Sequence, residues 1–133
     1  MLPAVIVFTR TLYDQMLAYA LSDPAHEMCG LLAGHDNVVE QVLPVPNALR
    51  SPVAYRMEGP EFVEAMKACD FEPMGIFHSH PSGPPTPSPT DVAEATYPDS
   101  VYVIVSLQQS PPSVRAFWIV DGQINEAPVA VRE

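Results

Sequence analysis

Two histidines, His78 and His80, open a stretch that reads His78-Ser79-His80-Pro81-Ser82-Gly83-Pro84-Pro85-Thr86-Pro87-Ser88-Pro89-Thr90-Asp91. A neutral imidazole offers a ring nitrogen to a divalent metal, and a carboxylate offers oxygen. If Phe77 to His80 is extended, side chains at i and i+2 share a face. His78 and His80 then point one way and Ser79 the other. Asp91 completes three protein ligands if the loop turns back. Two histidines, one carboxylate and an open position for water form the ligand set of a hydrolytic zinc site.

The intervening loop is suited to holding a distant ligand. Five of the nine residues from Pro81 to Pro89 are proline. Each fixes φ and narrows the unfolded ensemble, a gain of roughly 0.4–1 kcal/mol where the native shape permits it. Gly83 is the one place for an unusual dihedral. The segment Ser88-Pro89-Thr90-Asp91 also reads as a helix start, with Ser at N-cap, Pro at N1 and an acid at N3. On that reading Ser88 and Asp91 cap a helix. The two roles are compatible, because a helix N-terminus can present its first side chains to the same cavity.

The pattern His-x-His-x7-Ser-x2-Asp with a glutamate upstream resembles the signature of the JAMM (MPN+) metalloprotease family. The glutamate is Glu27, in Glu27-Met28-Cys29-Gly30-Leu31-Leu32-Ala33-Gly34. All five signature positions are filled, and the resemblance extends over nearly the whole chain. It implies one Zn²⁺ held by His78, His80 and Asp91, with Glu27 as general base and Ser88 as hydrogen-bond donor to the oxyanion. It also implies a substrate: the bond after the C-terminal glycine of a ubiquitin-like protein. The short spacing from Glu27 to His78 and the short tail after Asp91 resemble compact bacterial members acting on sulfur-carrier proteins of ubiquitin-like fold. One such type releases cysteine from its carrier. The run Pro87 to Ala93, followed by Tyr97-Pro98-Asp99, resembles that subgroup most. The carrier's Gly-Gly tail is expected to enter extended, adding a strand to a sheet edge.

Read on its own residues, Glu27 is a carboxylate at the edge of an apolar run, a place where charge is uncommon. Other readings stay open. A non-catalytic MPN scaffold would lack some ligands, and none is missing. An Fe(II) oxygenase uses two histidines and a carboxylate but has no clear use for Glu27. A zinc peptidase of small peptides is a further alternative, as is a nucleophilic Cys29 paired with a histidine.

The elements that must position these residues follow from periodicity. Ala4 to Phe8 is a β-branched run and reads as a strand. A helix capped by Thr9 or Thr11 runs to Ser22, with Leu12, Tyr13, Met16, Leu17, Ala20 and Leu21 at helical spacing, and Pro24 ends it. An extended segment from Ala25 to Ala33 turns at Gly34 to Asn37 and pairs back over Val38 to Val45. Pro44 to Pro60 is irregular, with a short extended piece near Ala54 to Met57 and Asn47 as a turn residue. Gly59 opens a second helix to Cys69 with Phe62, Ala65, Met66 and Cys69 as its buried stripe. Met74 to His80 is the histidine strand, and Pro89 to Tyr97 a third helix with Val92 and Ala95 inward. Val101 to Leu107 reads as a central strand. Val114 to Val120 and Gln123 onward form a hairpin around Asp121-Gly122. The sum is an α/β fold, a mixed sheet sandwiched by helices, and the family resemblance implies the same, with a cytidine-deaminase-like layout.

The chain has 133 residues, enough for one domain over 1–133. Apolar residues make up 47%, so a globular core is expected rather than disorder. Formal net charge is −10 with only six Lys and Arg, which argues against nucleic acid and anionic membrane and favours a partner with a basic face. Met1 to Arg10 lacks the basic and apolar regions of a signal peptide, and no apolar run is long enough to span a bilayer. A cytoplasmic location is therefore expected, with Cys29 and Cys69 as free thiols and small core hydrophobes. His26 and His35 read as exposed. The sequence sets no oligomeric state.

Overall fold

The computed structural model describes residues 4–133. The reading of Met1 to Arg10 rests partly on the first three residues, which lie outside those described. In chain order the elements are β1 (Ile6–Thr9), α1 (Arg10–Ser22), β2 (Cys29–His35), β3 (Val38–Val45), α2 (Gly59–Lys67), β4 (Glu72–His80), α3 (Pro89–Glu94), β5 (Val101–Ser106), β6 (Ser113–Val120), β7 (Gln123–Ala127) and β8 (Val129–Arg132). The strands form one mixed sheet in the order β7-β6-β5-β4-β2-β3-β1-β8. Strands β7 and β8 occupy opposite ends of that order, yet only Pro128 separates them along the chain. The sheet must therefore curl until its two edges approach.

Local chemistry sets the ends of the elements. The Thr9 hydroxyl accepts the Leu12 N–H at 3.2 Å and caps α1. Asp36 and Asn37 both take positive φ, 52° and 62°, and join β2 to β3. Asp121 and Gly122 do the same at 50° and 79° between β6 and β7. Both are two-residue turns whose twist matches the flanking strands.

Alternation sorts the side chains into two apolar layers. Phe77, Val101, Val103 and Val105 pack with Met16 and Ala20 of α1. Ile76, Tyr102 and Ile104 pack on the other face with Ala65 of α2 and, at its margin, Val92 and Ala95. Strand β5 is buried along its length, as its apolar run predicts. Strand β4 lies between β2 and β5, antiparallel to the first and parallel to the second. His78 and His80 therefore emerge near the middle of the sheet, on the α2 and α3 face.

Some boundaries differ from the sequence reading. The first strand starts at Ile6 rather than Ala4. Helix α3 stops at Glu94, short of Tyr97, because Ala95 already has extended ψ. Met66 is 43% exposed, outside the expected stripe, because α2 is covered only along Phe62 and Ala65. Ala54 to Met57 is irregular rather than paired. Strand β8 has no counterpart in the sequence reading; it pairs in parallel with β1, Ile6 opposite Val129.

Candidate metal centre

Strand β4 carries His78 and His80 to its C-terminal end with both rings on one face. The chain then leaves the sheet through the proline-rich loop and returns at α3. The loop is tied down on the way: Leu107 N–H donates to His80 O at 3.0 Å, and Ser106 Oγ donates to Gly83 O at 2.6 Å. At α3, Ser88 Oγ accepts the Asp91 N–H at 3.0 Å and Asp91 Oδ2 accepts the Ser88 N–H at 2.9 Å. This reciprocal cap is the helix start read from the sequence. It also turns Asp91 Oδ2 toward the histidines.

Three electron-rich atoms then converge. His78 Nε2 and His80 Nε2 are 3.1 Å apart, and Asp91 Oδ2 lies 3.2 Å from the first and 3.0 Å from the second. The donor atoms of a tetrahedral zinc site, each about 2.0–2.2 Å from the ion, are about 3.3–3.6 Å from one another. The triangle here is slightly tighter and of the same kind. His80 Nδ1 lies 2.8 Å from Pro84 O, a carbonyl that can only accept. That bond fixes Nδ1 as the protonated nitrogen and leaves the Nε2 lone pair facing Asp91. With both imidazoles neutral, at most one proton lies between the three atoms, so the cluster is suited to a cation.

Glu27 enters from the segment before β2. Its Oε2 is 4.0 Å from His80 Nε2, and the donor atoms of Glu27, His78 and His80 lie within 4.8 Å of one another. Asp91 is therefore the nearer carboxylate. A gap of 4.0 Å suits a bridging water better than a shared ligand shell. Glu27, His78, His80 and Asp91 are 3%, 1%, 6% and 8% exposed, an unusual concentration of buried titratable groups.

For the polypeptide alone, these environments push the groups apart. Burial raises the Glu27 carboxyl to about 8, with His80 opposing and Asp91 adding. Burial also opposes ionisation of Asp91, but bonds to His78, His80 and Ser88 overcome it and hold that carboxyl well below the usual range. His78 is lowered, chiefly by burial. His80 is raised, because its bonds to Asp91 and Pro84 outweigh burial. One acid is thus biased to hold a proton and the other to stay charged.

Glu27, His80 and Ser88 all line one cleft of about 380 Å³, whose other walls include Pro52, Val53 and Pro84. Cys29 is not part of the chemistry. Its Sγ–H donates to Val45 O at 3.3 Å, and burial pushes its pKa up to about 12. His35 is exposed against Phe71, as expected. His26 is only half exposed and sits 2.9 Å from Asp23. One contributor escapes the sequence reading: the Tyr55 ring stacks on His78, with centroids 4.5 Å apart. No spacing or periodicity in the irregular 47–57 segment announces that contact.

A curled mixed sheet delivering two imidazoles and two carboxylates to one buried point is the architecture of a JAMM-type metal centre. The chain belongs to that family: residues 9–120 match the prokaryotic homologs of the JAB domain. It is 40% identical to a CysO-cysteine peptidase of Mycobacterium tuberculosis, over 97% of this chain and 92% of that one. It is 37% identical to a probable TtuB-protein conjugate cleaving protease of Thermus thermophilus, over 90% and 79%. A solution structure of a protein from Desulfitobacterium hafniense superposes with a TM-score of 0.85 at 32% identity, over 97% and 94%.

Proposed function

We propose that this chain is a zinc-dependent peptidase that cuts the bond after the C-terminal glycine of a ubiquitin-like sulfur-carrier protein, with cysteine as one leaving group. The observation that carries the reading is the convergence of His78, His80 and Asp91 within 3.2 Å, with buried Glu27 beside them. The relatives named above support the substrate class, since both names describe cleavage of a bond to a protein partner. The described strands all join one sheet, which supports reading 1–133 as a single domain.

In this reading His78, His80 and Asp91 hold the zinc. When bound, zinc supplies a Lewis acid that polarises water and the scissile carbonyl. Glu27 takes a proton from the attacking water and returns it to the departing amine. Its place suits it to that exchange, because it is buried and its carboxylate lies 4.0 Å from His80 Nε2, a gap that one water can bridge. The Ser88 oxygen already accepts the Asp91 N–H, so its own O–H is left to donate to the oxygen that gains charge. The cleft walls of proline and Val53 fit a tail of glycines, which brings no side chains of its own. No described helix is long and apolar enough to cross a membrane. Both cysteines are free, which accords with action in a reducing cytoplasm.

Intact-mass analysis tests the proposal. Candidate sulfur carriers bearing a C-terminal adduct are mixed with zinc-loaded protein, with and without chelator. Loss of the adduct mass, stopped by the chelator, is the expected result. Adducts that survive on every carrier, or cleavage indifferent to the chelator, would contradict it.

A further inference from the structure

Two groups at this centre lack the polar partner that would aim them. Glu27 Oε1 and His78 Nδ1 are buried, and neither meets a hydrogen-bond partner among the described residues. His80 differs, since Pro84 O holds its outer nitrogen. A metal-binding imidazole ordinarily has that outer nitrogen held, which fixes the ring. The contact of His78 Nε2 with Asp91 holds only the inner edge of that ring, so packing and backbone contacts complete the aim of His78 and Glu27.

Residues 47–56 form a loop that touches both, and one side chain closes it. Asn47 Nδ2 donates to Glu27 O at 3.0 Å and to Ala54 O at 2.9 Å. Its Oδ1 accepts from Leu49 N–H at 3.0 Å and Arg56 N–H at 3.1 Å. The amide has two donors and room for two acceptances, and all four are used. The partners also fix which way the amide points, because a flipped oxygen would face two carbonyls. Ala54 and Arg56 bracket Tyr55, whose ring lies on His78 at 4.5 Å. Glu27 precedes β2 and has no ladder partner of its own; its N–H donates to Ser51 O of the same loop at 2.8 Å.

We infer that Asn47 is a positioning residue for this centre: by closing the 47–56 loop it places the backbone of Glu27 and, through Tyr55, the plane of the His78 ring. The inference rests on the roles proposed above for Glu27 and His78. All four hydrogen bonds of Asn47 go to backbone atoms, so it acts through these two neighbours. Replacement by aspartate keeps the shape and both acceptances. It sets a charged oxygen against the carbonyls of Glu27 and Ala54, where the amide donated.

The test compares Asn47→Asp and Asn47→Ala with wild type and with Val39→Ala. Val39 is buried in the α1-side core, and its register opposite Gly34 places it at the other end of β2 from Cys29 and its partner His78. It is the control for lost stability alone. Zinc affinity is read by chelator competition, geometry by the visible spectrum of the cobalt-substituted protein, and turnover on a carrier conjugate. For both Asn47 variants we expect zinc affinity and kcat each to fall about 10–100-fold, the usual cost of losing a partner that orients a ligand. KM should stay within about threefold and the cobalt spectrum should shift, while Val39→Ala shows neither change. Asn47 variants that behave like Val39→Ala would overturn the inference, and so would loss of the whole fold in both. If wild type cleaves no conjugate, the proposed function fails, and zinc affinity and the cobalt spectrum still decide the role of Asn47.

Discussion

Ser79 and Met28 exchange two hydrogen bonds: Ser79 N–H donates to Met28 O at 2.9 Å, and Met28 N–H donates to Ser79 Oγ at 2.8 Å. Ser79 stands between the two histidines but faces away from them, and Met28 follows Glu27. The pair therefore ties the strand that carries the imidazoles to the segment that carries the second carboxylate. Ser79→Ala leaves the Met28 N–H without its acceptor. Met28 is half-buried, so the loss costs about 1 kcal/mol, the low end for an unsatisfied donor, and the variant should unfold at lower urea and lose turnover while keeping zinc. Unchanged urea midpoint and rate would show that the tether is idle.

Glu27→Gln should bind zinc as wild type does and lose nearly all turnover, because the amide cannot take a proton. Zinc content by mass spectrometry and kcat on the same sample separate the two effects. Turnover at the wild-type rate would remove Glu27 as the base.

The same variant carries a pH signature in the zinc-free protein. Burial raises Glu27 from its ordinary 4.5 to about 8 in the folded chain. Between those values the folded chain holds a proton that the unfolded chain has released. Stability from this group is thus full below about 4.5 and lost as pH rises through about 8. The amide of the variant has nothing to ionise. Glu27→Gln should therefore raise the melting temperature, by more at about pH 8 than at about pH 5. An equal gain at both would mean that Glu27 is not shifted.

Asp91→Asn keeps the size of the side chain and removes its charge. Zinc affinity should fall by more than the roughly 10–100-fold that loss of an outer partner costs. A chelator competition curve that overlays wild type would exclude Asp91 from the ligand set.

Ser88 has two separable duties. Ser88→Ala removes the cap, at about 1 kcal/mol, whereas Ser88→Gly costs only a few tenths. Both remove the hydroxyl proton. If that proton stabilises the developing oxyanion, kcat falls by about 10²–10³ in both, although their melting temperatures differ. A rate that tracks melting temperature instead would leave Ser88 as a cap alone.

Much of the centre was legible because its signal is short-range. His78 and His80 share a face by the two-residue period of a strand, and Ser88 to Asp91 is a local cap; both appear where the spacing placed them. The paired turns at Asp36-Asn37 and Asp121-Gly122 were visible for the same reason, although β2 runs on to His35 before its turn. What was not legible depends on distant partners. Strand β8 is four residues long and pairs with β1 from the far end of the chain, so nothing local marks it. Asn47 read as a turn residue because its bonds to Glu27, twenty residues back, and to Ala54 and Arg56 leave no periodic trace. Tyr55 on His78 is a tertiary contact of an irregular segment, invisible for the same reason.

On the proposed reading, one zinc ion held by His78, His80 and Asp91 makes this chain a peptidase. The protein is stripped with chelator, zinc is returned stepwise, and cleavage of a carrier conjugate is followed against equivalents added. Activity that rises linearly, stops at one equivalent per chain, and never returns in His78→Ala or His80→Ala is the predicted result. Activity that survives stripping, or that zinc restores without either histidine, would show that this site does not hold a working zinc ion.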